Sequence, residues 1–283
     1  MIEKMQFDPQ ENLAFVIVIY NRQCSESETL AAFDGQLGLR ALIVDNSDSP
    51  EIIMSNEDFS RSRGYIYVAM GENKGLSCAY NRAISLLDSQ VRYVALLDDD
   101  TTLPDDYFLT LFRVLASDVN ADIFLPTVLA SGRMISPCIR RGALFFRADR
   151  KDLNRLIEGR RVSAINSGMV ISLEHISRLN GPFDENLFLD CIDHDFMYNQ
   201  LVVHQSKMSL YPVTLEQRFF DRNPSRTMDD ASEQRRRFAI FSRDYIYFCR
   251  KNHLGRLIPR IYLMFRAVKL AIRHRSFRLF PLK

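Results

Sequence analysis

The stretch Tyr93–Pro104, "YVALLDDDTTLP", decides the fold of this chain. Its first half is short and apolar, the pattern of a strand buried on both faces of a parallel sheet. Its second half sets Asp98, Asp99 and Asp100 side by side where that strand ends. Adjacent carboxylates repel one another, so the run suggests a task such as holding a divalent cation with a phosphate behind it. The bland alternative is a set of acids capping the helix expected from Pro104.

Similar apolar runs lie on either side, at Leu13–Tyr20, Ala41–Asp45, Tyr65–Met70 and Asp122–Pro126. Between them Ser25–Leu37, Gly75–Leu87 and Pro104–Ala116 suit helices. Strands alternating with helices at this spacing predict βαβ units and an α/β fold with a mainly parallel sheet. Later strands are expected at Ala143–Phe146, Ala164–Ser172 and Met208–Leu215, with a helix over Asp193–His204. Beyond about Arg226 the pattern turns helical and basic. Ligands of open parallel sheets sit at the carboxyl ends of the strands. The Tyr20–Arg22 turn, Asp45 and the Asp98–Asp100 run all fall there, which makes that edge the candidate site.

Composition narrows the classes. The 283 residues are 47% hydrophobic and 25% charged, ample for a core and unlike a disordered chain. Five cysteines (Cys24, Cys78, Cys138, Cys191, Cys249) contain no CxxC pair, which argues against a disulfide framework or a thiolate zinc site. The histidines show no HExxH spacing, and neither a GxGxxG after a strand nor a Walker A sequence is present. The start, "MIEKMQFDPQEN", lacks the apolar stretch of a signal peptide, and no run approaches the roughly 20 apolar residues of a membrane span. A cytoplasmic protein without a nucleic-acid partner is expected.

Six elements, taken in order, carry a resemblance: "VIVIYNR", "LIVDNS", "ENKGLSCAYNRAI", "VALLDDDTTLP", "INSGMVIS" and "FDENLFLDCIDHDF". Together they cover about Leu13 to Phe220, and their order and spacing resemble a family 2 glycosyltransferase of the GT-A fold, close to its bacterial rhamnosyltransferase-like members. The resemblance implies a Rossmann-like catalytic domain over 1–226, with a nucleotide-sugar half of about 1–103 and an acceptor half of about 104–226. A basic helical segment, 227–283, follows. It implies inverting, metal-dependent transfer from a UDP- or dTDP-sugar to a glycan or lipid-linked glycan acceptor, in the synthesis of bacterial surface polysaccharide such as lipopolysaccharide.

Residue by residue, the family's DxD motif falls on Asp98 and Asp100, with Mn²⁺ or Mg²⁺ on Asp100 and Asp98 nearer the ribose or the metal's waters. Asp45 matches the acid that accepts the imide N–H of uracil or thymine, a donor suited to a carboxylate. A turn built by "DNSDSP" is the other reading of that stretch. Tyr20, Asn21, Arg22, Asn73, Gly75 and Asn81 would meet the nucleotide sugar, and Ser167 and Gly168 would form the small-residue turn beneath the sugar. The resemblance puts the catalytic base at Asp193, with Asp195 and then Asp190 as fallbacks; acids that only stabilise a helix N-terminus are the alternative.

Two departures stand out: Ile192 replaces the usual Glu before the base, and Gln217 stands where a metal- or phosphate-binding His is common. Arg218, Arg222 and Arg226 then become candidates for the diphosphate, or residues of a solvated loop. "DDDTTL" also fits the haloacid-dehalogenase phosphatase motif, whose first Asp is a nucleophile, and an inactive nucleotide-sugar-binding relative is a third reading.

From Lys251 to Lys283 nine Lys or Arg occur without an acid, so that tail carries +9 and the rest of the chain −7 within a net +2. Pro259 suits a first helical position, and Ile261, Met264, Phe265, Val268 and Ile272 then share one face beside Arg266, Lys269 and Arg273. Such a helix suits an anionic membrane surface. The alternative packs that apolar face on the catalytic domain or a second subunit.

Overall fold

A computed structural model describes residues 7–36, 38–117, 120–177, 179, 181–217 and 229–273. The strands are β1 (Leu13–Ile19), β2 (Arg40–Asp45), β3 (Ile66–Ala69), β4 (Tyr93–Asp98), β5 (Thr101–Thr102) and β6 (Ile123–Ala130). They continue with β7 (Arg133–Ser136), β8 (Cys138–Arg141), β9 (Leu144–Arg147), β10 (Val162–Ser163), β11 (Val170–Ser172) and β12 (Met208–Gln217). The helices are α1 (Pro9–Asn12), α2 (Glu28–Ala31), α3 (Pro50–Arg63), α4 (Leu76–Ile84) and α5 (Tyr107–Ala116). After them come α6 (Leu153–Glu158), α7 (Leu173–Ile176), α8 (Ile192–Tyr198), α9 (Asp229–Lys251) and α10 (Leu257–Arg273).

The main sheet runs β3-β2-β1-β4-β11-β6-β12-β5, with β7 paired to β6. β3, β2, β1 and β4 are parallel, whereas β11 is antiparallel to both β4 and β6. Val16 lies opposite both Leu42 and Leu96 in this register, and alternation along β1 feeds two cores. Ala14 and Val16 join the cluster beneath α4, α8, α9 and α10, while Phe15 and Ile17 join the one beneath α2 and α5. After β2 and β3 have been laid on one side of β1, β4 joins its other side. The crevice opened by that reversal is the usual ligand position of an open α/β sheet.

The predicted α/β architecture with a mainly parallel sheet and C-terminal helices is what the structure contains. Two local expectations are corrected, and a third is met in another sheet. Ser25–Leu37 yields a 3-10 turn at Cys24–Glu26 and the single-turn α2 rather than one helix. Ala143–Phe146 contributes to β9 in a separate sheet, β10-β8-β9. Within Ala164–Ser172 only β11 pairs as a strand. A helix not anticipated at all, α3, has Ser49 as its N-cap, Pro50 in its first turn and Gly64 in the left-handed region at its end.

The C-terminal helices share the core of the sheet. Phe238, Tyr245 and Phe248 of α9 and Leu263, Ala267 and Ala271 of α10 belong to the same buried cluster as Val16 and Leu96.

Candidate functional site

A cleft of about 890 Å³ opens at the carboxyl ends of β1 and β4. Tyr20, Asn21, Arg22, Asn46, Asp48 and Asn73 line it from the β1 and β2 side, with Asp99 and Asp100 below and Phe188 and Leu189 opposite. α9 closes it with Glu233, Arg236, Arg237 and Ile240. Two turns form its wall by binding each other. The Asn21 N–H donates to Ser47 Oγ at 2.8 Å, the Asp48 N–H donates to Asn21 Oδ1 at 3.0 Å, and Tyr20 Oη donates to Asp48 Oδ2 at 3.1 Å.

The three consecutive aspartates coexist because each has different surroundings. Asp98 Oδ2 accepts from Ser167 Oγ and, at 2.6 Å, from Gln217 Nε2. Desolvation, with Asp100 and Asp99 adding like charge, pushes its carboxyl up to about 6 in spite of those two donors. Asp99 pairs with Arg22 at 3.2 Å, and Asp100 faces the cleft. The backbone of the turn is held from α2 and the turn before it: Ser27 Oγ donates to the Asp99 carbonyl at 2.7 Å, and Thr29 Oγ1 donates to the Thr101 carbonyl at 3.0 Å. Asp98 is held on one oxygen by two donors and ends the fourth strand of the chain rather than the first, a placement that does not favour the phosphatase reading of this stretch.

The donor set suits a hard divalent cation, being oxygen only. Gln217 Oε1 is buried with no hydrogen-bond partner, beside the donors its own Nε2 gives to Asp98 and Ser167. Among the described residues no three His, Cys, Asp or Glu side chains group around one point.

Tyr20, Asn21, Arg22, Asn73 and Asp100 thus line the cleft, whereas Asp45, Asn81 and Gly75 are outside its lining and are engaged by other parts of the chain. Asp45 is fully buried, and its oxygens accept from Asn56 Nδ2 (2.7 Å), Tyr67 Oη (2.7 Å) and the Ser47 N–H (2.9 Å). A carboxylate so satisfied supports the turn that carries Asn46 and Asp48 rather than facing a base. Asn81 clamps the loop at Phe183, donating to its carbonyl (2.8 Å) and accepting its N–H (3.1 Å). Gly75, at φ 88°, makes room for Phe188, whose backbone oxygen would lie 2.8 Å from a Cβ. The close approach that requires glycine there is therefore to this chain's own loop. Gly168, at φ +75°, is required by packing from Leu215 and Pro126, while Ser167 serves Asp98.

On the acceptor side the candidate acids separate. Asp193 Oδ1 accepts the His194 N–H at 2.7 Å, and the side chain keeps partial exposure (21%). Asp195, the fallback base, is 2% exposed and is bonded by Lys251 Nζ (2.7 Å), Asn252 Nδ2 (2.7 Å) and Asn199 Nδ2 (3.1 Å), bonds that anchor the end of α9. Asp190 forms a two-pronged ion pair with Arg237, one contact at 2.9 Å. The buried Tyr80 hydroxyl lies within the fields of both Asp98 and Asp193. Burial first, then those charges, raises its pKa well above the ordinary value.

Sequence reasoning missed Asn56, Ser27, Thr29 and Asp244. Asp244 of α9 is fully buried, and its Oδ2 accepts the N–H groups of Phe188, Leu189 and Asp190 at 3.1, 2.8 and 3.0 Å. It fixes the loop that forms one wall of the cleft and leads into α8. The Ser49, Pro50 and Gly64 caps announce the helix bearing Asn56, but no motif marks Asp244 among the charged residues of α9. Arg218, Arg222 and Arg226 lie outside the described residues; the arginines at the cleft are Arg22, Arg236 and Arg237.

Residues 14–179 match the family described as Glycosyl transferase family 2. No curated protein matches the sequence. Among solved structures, GalNAc-T7 with UDP, GalNAc and Mn²⁺ superposes with a TM-score of 0.57 at 12% identity, over 95% of this chain and 56% of that one. S. aureus TarS 1-349 gives 0.52 at 11% identity, over 94% and 92%. Its complex with UDP-GlcNAc gives 0.52 at 13% identity, over 81% and 66%. At such identities the likeness is one of fold, and the fold these chains share is GT-A.

Proposed function

The chain belongs to glycosyl transferase family 2, and from that premise we propose that it is an inverting transferase moving a sugar from a UDP- or dTDP-sugar to a glycan or lipid-linked glycan. Surface polysaccharide assembly is the setting this acceptor class suits. The observation that carries the reading is the acidic turn after β4, opening onto a cleft that also presents arginines. Two structural neighbours were solved with UDP or UDP-GlcNAc, which supports a nucleotide-sugar donor.

In this reading the base of the nucleotide lies against the wall made by Tyr20, Asn46, Asp48 and Asn73. Asn46 and Asp48 offer acceptors for an imide N–H in place of the consumed Asp45. The diphosphate lies over Asp100 near Arg22 and Arg236, whose guanidinium groups suit phosphate. Asp98 and Asp100 would hold Mn²⁺ or Mg²⁺, which when bound offsets the negative charge growing on the leaving diphosphate. Asp193 takes the proton of the acceptor hydroxyl as its oxygen bonds to the anomeric carbon. The bond to the diphosphate breaks on the opposite face, and its electron pair leaves with the phosphate. Ser167 and Gln217 hold Asp98 in place throughout.

A panel of nucleotide sugars, scored for calorimetric binding and slow hydrolysis with and without Mn²⁺, tests the proposal. Binding of a uridine or deoxythymidine donor that is lost on chelation and in Asp100→Ala is the expected result. Metal-independent binding, or equal affinity across purine and pyrimidine donors, overturns it.

A further inference from the structure

We propose that the outer face of α10 is a docking surface for an anionic lipid bilayer. The helix is apolar around more than half of its circumference, and only part of that surface is covered. Its inner side packs on the body through Leu263, Ala267 and Ala271, spaced four residues apart and no more than 5% exposed. Its outer side presents Leu257, Ile258, Ile261, Phe265, Val268 and Ile272, with Leu257 at 70%, Phe265 at 66% and Ile272 at 62% exposure. Close to half of all the exposed large hydrophobic side chains among the described residues belong to this one helix. A helix at a protein–water boundary turns large apolar residues inward and polar ones outward; here one leucine and two alanines are buried against the protein and most of the large apolar residues are exposed. The sequence reading grouped Ile261, Met264, Phe265, Val268 and Ile272 correctly, but packing on the body uses the other side.

Charge selects the occupant. Arg260, Arg266 and Lys269 punctuate α10, Arg256 precedes it, and no acid occurs anywhere from Lys251 onward. A second copy placed on this face would bring like charge against like charge with no acid between them. A surface of phosphate headgroups supplies the missing counter-charge while the apolar side chains enter the acyl boundary. Among the described residues no helix is long and apolar enough to cross a membrane, so α10 lies on the surface.

Docking would also orient the site. α10 is locked to α9 by aromatic contacts, Tyr245 with Tyr262 at 5.2 Å between ring centres and the Arg266 guanidinium 3.7 Å above the Phe241 ring. α9 in turn lines the cleft with Arg236, Arg237 and Ile240 and fixes the 188–190 loop through Asp244. A bilayer gripping α10 holds the cleft at a set attitude to the lipid plane.

Co-sedimentation of the full chain with vesicles tests this. The chain is expected to pellet with phosphatidylcholine vesicles containing phosphatidylglycerol, to stay in solution with phosphatidylcholine alone, and to be released by high salt. Ile258→Asp with Phe265→Asp, both on the exposed side, should abolish pelleting while leaving the melting temperature and UDP binding as they were. Arg260→Gln with Lys269→Gln should lower the partition coefficient by roughly tenfold or more, each basic residue near the surface contributing several-fold. Full-length protein that stays in solution with both vesicle types overturns the proposal. So does a dimer, seen by sedimentation velocity, that Phe265→Asp dissociates while vesicle binding is unchanged; that result assigns the face to a second copy. Because UDP binding is read separately, failure of the lipid proposal leaves the transferase reading standing, and the reverse.

Discussion

Asp193 and Asp195 sit two residues apart in the first turn of α8, yet the fold puts them to opposite uses. Asp195 points into the body, where Lys251, Asn252 and Asn199 use its oxygens to tie down the end of α9. Asp193 accepts one backbone N–H and keeps partial solvent access. The same division recurs on the nucleotide side. Asp45 is consumed by Asn56, Tyr67 and Ser47, while Asp48, three residues later, stands at the cleft. In both pairs one acid is buried among internal donors that build the scaffold, and its neighbour keeps solvent access. Burial, which a motif does not report, separates the two.

The comparison is broken most directly at Asp193. Asp193→Asn should lower the transfer rate by about 10²–10⁴, the usual range for losing a general base. Donor affinity, measured by calorimetry, should stay at the wild-type value. A variant that transfers at the wild-type rate would show that the accessible acid of the pair is idle, and the division of roles would then fail.

Asp195→Ala is the opposite case. It leaves Lys251 with Asp184 as its remaining carboxylate partner at 2.7 Å and strips Asn252 and Asn199 of a buried acceptor. A loss of roughly 3 kcal/mol of stability is expected, at the low end for breaking a buried pair because Lys251 is partly exposed. Turnover per folded molecule should change far less than for Asp193→Asn. Chemical denaturation followed by a rate measurement on the folded fraction separates the two. If the folded fraction has lost activity as completely as Asp193→Asn, Asp195 belongs to the chemistry after all.

How much of this was open to sequence reading follows from the same contrast. The β1–β4 strands, the acidic turn and the cleft residues Tyr20, Asn21, Arg22 and Asn73 were legible because alternation and strand-end position are local properties. The structural partners of Asp45, Gly75 and Asn81 were not legible: Asn56 and Tyr67, which hold Asp45, stand outside any motif. Gly75 and Asn81 meet Phe188 and Phe183, more than a hundred residues away, and no local pattern encodes that meeting. α3 was overlooked because its mostly polar sequence gives a weak apolar stripe, although its caps were in view. Asp244 was hidden for another reason: its burial depends on α9 folding back over the loop.

The smallest expected effect sharpens the nucleotide-side pair. Asp48 already accepts from Tyr20 Oη and the Asn73 N–H, but it is exposed, and a carboxylate has lone pairs for a further donor. An imide N–H delivered by uracil or thymine would be that donor, and one charge-assisted hydrogen bond at an exposed site contributes about 1.4 kcal/mol, a factor of ten in affinity. Asp48→Ala should therefore weaken UDP binding about tenfold and bring it toward the affinity for GDP, with little change in melting temperature. Asp45→Asn should show the reverse pattern, because replacing one oxygen by an amide sets an N–H against Asn56, Tyr67 or Ser47, all of which donate. Its melting temperature should fall, while the discrimination between UDP and GDP shown by the folded protein persists. If Asp45→Asn instead erases that discrimination in a protein that melts like the wild type, the buried acid reads the base through its turn, and the line drawn between scaffold and site at this edge moves inward by three residues.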